Sequence, residues 1–209
     1  MKKLLIILFS IFIVYFSTEW VIRGIHYVVF KSATYISFVS PIVHWTKYFA
    51  VAFLLALLFK KYVTLAPAGQ KIIPIVLVLT FAMFFVSSLW FNAVNEEKLV
   101  KHRVFLHHVK TWEEVDYVST EIHHEEKVVV ERTNNLGPLK VIPKYNIHFE
   151  DGSVMNVWND LSSIYQLHQF VLDNHIEVKY LTEAKHFDQN FAYYFKDSLD
   201  QAHSVFGVE

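Results

Sequence analysis

Histidine is the side chain this sequence holds in surplus. Twelve of its 209 residues are histidine, two pairs of them adjacent: His107-His108 and His123-His124. Imidazole can ligate zinc, move a proton near neutral pH, or sit solvated on a strand. A zinc site needs three or four ligands converging at about 2 Å, and its familiar spacings are HExxH or mixed Cys/His patterns. Neither pattern occurs, and there is no cysteine. Adjacent residues of a strand point to opposite faces, so each pair offers one imidazole to a given site. The set that could converge, if its strands are neighbours, is His108, His123, Glu125 and His148. Solvated strand histidines are the plainer reading and the expected one. Several imidazoles on an acidic domain would also titrate near neutrality.

Other routes to chemistry close quickly. Ser153, Ser162 and Ser163 lack a GxSxG context, and neither a P-loop nor GxGxxG is present. Glu113-Glu114 and Glu125-Glu126 are adjacent carboxylates whose side chains diverge in a strand, which does not make a dyad. Trp112 and Trp158 suit core or interface rings. Absence of cysteine removes disulfides, thiolate metal sites and cysteine nucleophiles. The expectation is a non-enzymatic protein with no cofactor.

The elements that must position these groups fall into two parts. Residues 1–95 carry eight Lys/Arg against Glu19 alone, a balance of +7; residues 96–209 carry eleven against nineteen acids, a balance of −8. An acidic domain is repelled by phosphates, so nucleic acid is not an expected partner, nor are anionic lipids for this domain. Aromatic content of 17% and a mean hydropathy of +0.29 come from long apolar runs in the first part.

Residues 72–94, IIPIVLVLTFAMFFVSSLWFNAV, hold no charge and are long enough for a helix to cross about 30 Å of hydrocarbon. At the start, Met1-Lys2-Lys3 followed by LLIILFSIFIVYFS has the outline of a signal peptide. No small-x-small site follows it, so a retained span over about 4–29 is expected. Glu19 and Arg23, four apart around Trp20, suit the membrane interface. The second span, 36–59, has a firm apolar part only from 48 and must borrow from a stretch containing Pro41, His44 and Trp45. Pro67-Ala68-Gly69 signals a turn, and Pro74 falls in the first turn of the third span. About three spans are expected, four being the alternative. Cationic residues divide five against six between the two sides, which leaves the side of the acidic domain open.

From 96 onward the pattern is strand-like. After a charged connector (95–103), runs at 104–110, 115–122, 127–132, 141–149 and 153–158 are short and rich in β-branched or alternating residues. Thr111-Trp112-Glu113-Glu114 has the form of a capping box, 134–138 is a loop by composition, and Asp151-Gly152 is a hairpin turn. Residues 161–174 form a helix capped by Asn159 or Asp160, with Leu161, Ile164, Tyr165, His168, Val171 and Leu172 on one stripe. A short strand at 176–180 precedes an aromatic amphipathic tail, 187–209, in which Phe187, Phe191, Tyr194 and Phe195 recur at helical spacing. Packing back on the domain is the expected role of that tail, a partner or membrane surface the alternative.

These elements make an α+β domain over 96–186, mostly antiparallel sheet with a C-terminal helix. The combination Thr111-Trp112-Glu113-Glu114-Val115, Tyr145-x-Ile147-x-Phe149-Glu150-Asp151-Gly152 and the helix 161–174 resembles the bacterial PH-like domains appended to small membrane proteins. The resemblance covers about half the chain. It implies a bent sandwich or barrel closed by a helix, and a binding or scaffolding role; it carries over no ligand residues. The expectation is therefore a multi-pass cell-membrane protein in which the lipid bilayer holds the spans. Its PH-like domain would bind a protein partner or sense envelope conditions. The alternatives are a histidine-based metal site on the domain and a small transporter or channel component.

Overall fold

Long apolar runs dictate the first half. In the computed structural model, which describes residues 2–30, 35–62, 67–126 and 139–208, they form α1 (Lys2–Phe30), α2 (Val43–Tyr62) and α3 (Pro67–Ser88). None is strongly amphipathic, so none has a polar face to turn toward water. Their apolar side chains point outward: Phe9, Phe12, Ile75, Val78, Leu79 and Phe81 are all more than half exposed. Among the described residues two stretches are long and apolar enough to cross a membrane, Ile7–His26 and Gln70–Ser88; the apolar part of α2, Trp45–Leu58, is shorter. Thr80 and Ser88 hand their hydroxyls back to the carbonyls of Val76 and Phe84, which satisfies both groups within the helix.

The helix limits differ from those expected. α3 begins at Pro67, so the Pro-Ala-Gly turn signal is its first turn, and Pro74 is interior rather than terminal. Its end at Ser88 also falls six residues short of 94, because Trp90–Val94 is a strand. An unbroken apolar run cannot distinguish a lipid-facing helix from a buried strand. In the same way 36–42 does not extend α2. Ser37–Val39 is a strand that pairs antiparallel with the end of that later one, Ser37 opposite Val94 and Val39 opposite Asn92.

The strands are β1 (Ser37–Val39), β2 (Trp90–Val94), β3 (Leu99–Arg103) and β4 (Leu106–Lys110) in one sheet, ordered β1-β2-β3-β4. β5 (Val115–Glu126), β6 (Leu139–Phe149), β7 (Val154–Asn156) and β8 (Val178–Tyr180) form the second, ordered β7-β6-β5-β8. The expected connector 95–103 thus contains β3, and 104–110 is split by a turn at Val104-Phe105. The expected strand 127–132 and loop 134–138 lie outside the described residues. By contacts the chain forms two units. The helical one gathers Met1–Thr34, Ser40–Phe91 and His102–His107; the other gathers Tyr35–Val39, Asn92–Lys101 and His108–Glu209.

In the second unit the alternation of β6 works as expected: Tyr145, Ile147 and Phe149 are buried on one face. The turn at Asp151 closes through Gly152 N–H to Phe149 O (2.8 Å), with Gly152 at φ +77° and Asp151 Oδ1 accepting from Ser153 N. Glu114 Oε1 accepts from Thr111 N at 2.9 Å, the reciprocal half of a capping box. The helix α4 (Leu161–Asp173) is capped by Asp160, which accepts from Ser163 N at 2.9 Å, and it buries Ile164, Leu167, His168 and Val171. The aromatic tail packs back on the domain. Phe187, Phe191 and Phe195 of α5 (Phe187–Phe195) and Ala202, Val205 and Phe206 of α6 (Leu199–Phe206) join the same core as β5, β6 and α4.

α6 ends in a turn that only glycine fits. Val208 N reaches His203 O at 2.9 Å and Gly207 sits at φ +64°, the Schellman arrangement. A β-carbon there would also run into the Tyr180 ring. Gly207→Ala is expected to lower unfolding stability by about 1–3 kcal/mol, from left-handed strain plus displacement of the ring. Denaturant titration of the purified protein measures it.

Candidate functional site

Strand register decides what the histidines can do. On β5 and β6 the core face carries Val118, Thr120 and Ile122 opposite Ile147, Tyr145 and Pro143; the outer face carries Tyr117, Ser119, Glu121 and His123 opposite His148, Asn146, Lys144 and Ile142. His123 and His148 therefore share a face. His148 pairs with Tyr117, however, six positions along β5 from His123, which separates them by about 20 Å at strand rise. His108 is exposed on β4, in the other sheet. Glu125 pairs with Lys140 in the backbone register, and its side chain lies outside the described residues. The register thus keeps His123 and His148 apart, with His108 on a different sheet. Among the described residues no group of three or more His, Asp or Glu could hold a metal ion.

The outer face has its own organisation, centred on His148. Its ring stacks on Tyr117 (centroids 4.2 Å apart, planes 12° apart), and Nε2 lies 2.8 Å from Ser119 Oγ. Lys179 from β8 places Nζ 3.4 Å above the other ring of the pair, Tyr117, while 3.6 Å from Glu177. Burial, then the nearby ammonium of Lys179, push the His148 imidazole below its ordinary value against the pull of Asp116. Further along, Glu121 lies 3.5 Å from Lys144 and 3.4 Å from His123. The surface is a shallow, braced strip of aromatic rings and mixed charges. Such a strip suits a protein contact: rings supply area at low entropic cost and paired charges set register.

A second cluster is mostly inside, with Tyr180 at its half-exposed edge. Thr120 stands opposite Tyr145 on one side and Tyr180 on the other, so three polar side chains meet on the core face. His168 of α4 comes down on them, with Nδ1 3.3 Å from the Tyr145 hydroxyl and Nε2 3.5 Å from that of Tyr180. Thr120, Tyr145 and His168 are fully buried, and Thr120 Oγ1 has no hydrogen-bond partner among the described residues. The sequence stripe contained His168, yet nothing in its spacing identified the two phenols. A third place, a cleft of about 300 Å³, lies between Trp158–Leu161 positions and Tyr194, Phe195 and Ser198. Its acid, Asp160, already caps α4 and accepts from Asn159 Nδ2.

No protein-family model, characterised protein or solved structure matches this chain.

Burial lowers the His168 imidazole to about 4, with a backbone hydrogen bond to Ser204 pulling weakly the other way. Unfolded, the same group takes its proton near 6.5. Between those values the unfolded chain holds more protons, so stability is full above about 6.5 and falls as pH drops toward about 4. The loss from this group is on the order of 3 kcal/mol. His168→Gln is expected to lower stability near neutrality and to flatten that slope. Unfolding titrations at several pH values across the window read both effects.

Proposed function

We propose that this chain is a non-enzymatic multi-pass protein of a cell membrane, whose helical unit anchors a PH-like domain that binds a protein partner. The observation that carries the anchoring is the outward apolar surface of the helices. Only about a fifth of the Gln70–Ser88 stretch is buried, and less of Ile7–His26. A core helix of a soluble protein would be covered; here Val78 is 67% exposed and Phe81 63%. Exposing such a continuous apolar face to water is costly, whereas hydrocarbon accepts it.

α2 completes the bundle in this reading. It packs against both α1 and α3, and its 20 residues rise about 30 Å. Lys60 near its end would reach to the headgroups along its aliphatic stem. Three spans follow. The domain's sheets are mostly antiparallel and its C-terminal helices complete the core, which supports the PH-like reading. For the partner surface, the strip of Tyr117, His148 and Lys179 is the best organised.

Membrane residence predicts that the full chain stays in the pellet after alkaline carbonate extraction and dissolves with detergent; release by carbonate alone would overturn it. For the partner surface, cross-linking in native membranes is expected to trap a defined protein with wild type. Tyr117→Ala or His148→Ala should weaken that capture by about 2 kcal/mol, roughly thirty-fold, while leaving the melting temperature close to wild type. Equal capture by all three proteins would rule this strip out.

A further inference from the structure

The turn between β3 and β4 displays apolar side chains that stay uncovered among the described residues. Phe105 is 90% exposed and Leu106 60%. Val104 holds φ +57°, a left-handed conformation that a β-branched residue rarely adopts. The turn is nevertheless firmly tied. Val104 N donates to Leu89 O at 2.9 Å, one residue beyond the end of α3. His102 Nδ1 lies 2.7 Å from the same carbonyl, and its ring stacks on Phe91 with centroids 4.9 Å apart. Phe91 in turn meets His26 of α1, whose Nε2 contacts the Ser88 carbonyl. Arg103 donates to Phe91 O at 2.9 Å and lies over the Trp90 ring at 4.9 Å. All of these residues belong to the helical unit.

Position and charge say what the exposed tip meets. A turn bonded to the first residue after a membrane span lies at the depth where that span leaves the hydrocarbon. Phenylalanine and leucine beside Trp90 and Arg103 are the residue types that settle at the headgroup boundary. On and just before the strand leading to the tip, Lys98, Lys101 and Arg103 follow one another with no acid between them, whereas Lys110 beyond it is paired with Asp151. Anionic headgroups complement that local charge.

We propose that Val104-Phe105-Leu106 is an interfacial foot, seated in the headgroup layer beside the exit of α3, with Phe105 and Leu106 in the outer acyl region. This rests on the membrane reading above, and its test separates the two. The chain has no cysteine, so single substitutions Phe105→Cys, Leu106→Cys, Val78→Cys and Asp173→Cys can each carry one environment-sensitive fluorophore. The full-length protein is reconstituted in vesicles of one part phosphatidylglycerol to three parts phosphatidylethanolamine, with quenchers placed shallow or deep on the acyl chains. The label at Val78 should be blue-shifted and quenched from depth, and that at Asp173 should behave as in water. Labels at Phe105 and Leu106 should be blue-shifted and quenched more by shallow than by deep lipid. If both tip labels resemble Asp173 while Val78 is quenched, the foot is wrong and the span stands. If Val78 also resembles Asp173, the membrane reading fails and the foot with it.

Discussion

The passage from α3 to β2 takes a single residue, and much of the helical unit depends on how that residue is satisfied. Leu89 N bonds back to the carbonyls of Phe85 and Val86, closing the last turn. Its carbonyl, which the helix leaves unpaired, receives Val104 N and lies beside His102 Nδ1. Helix ends leave orphan carbonyls that are costly away from water. Here a hairpin from a later part of the chain supplies the donor. The contact between His26 and the Ser88 carbonyl serves the neighbouring group in the same way. The hairpin therefore finishes the helix as much as it belongs to a sheet.

That arrangement sharpens the division of charge. Counted by the two units, the helical one holds nine Lys/Arg against Glu19, and the other ten against nineteen acids. The difference from a cut at residue 95 is Arg103, carried into the helical unit by the hairpin tip. An acidic domain average therefore says little about the tip, which Lys98, Lys101 and Arg103 precede with no acid between them. Charge segregation of this kind acts over about a Debye length, so a short basic segment presents its own field beside a domain of opposite net charge.

What could be read in the sequence was local. The Asp151-Gly152 turn, the Asp160 cap, the alternation of 145, 147 and 149, and the stripe containing His168 each rest on spacing within a few residues. What could not be read was pairing at a distance. β1 and β2 are partners across two intervening helices, and no local pattern in Ser37–Val39 reveals it. Trp90–Val94 continues an apolar helix without interruption, so its switch to strand is decided by the strand it meets. The placement of the histidines shows the same limit. Parity along β5 and β6 put His123 and His148 on one face, but the register sets His148 against Tyr117, six positions along β5 from His123.

The buried polar node shows how such distant pairings are held. β8 is only three residues long and pairs parallel with β5, a weak strand on its own. Its last residue, Tyr180, is engaged on several sides. The backbone stands opposite Thr120, the hydroxyl faces His168 of α4, and the ring lies beneath Gly207 at the end of α6. One side chain thus couples the edge strand, the helix across the sheet and the C-terminal turn. Near neutrality the buried imidazole is uncharged, so its cost is that of a neutral polar group met by polar neighbours. An apolar residue at 168 would leave the buried Tyr145 hydroxyl without the imidazole beside it and remove one of the contacts that place α4 on the sheet. His168 thus ties α4 to the two phenol-bearing strands, β6 and β8, across the sheet.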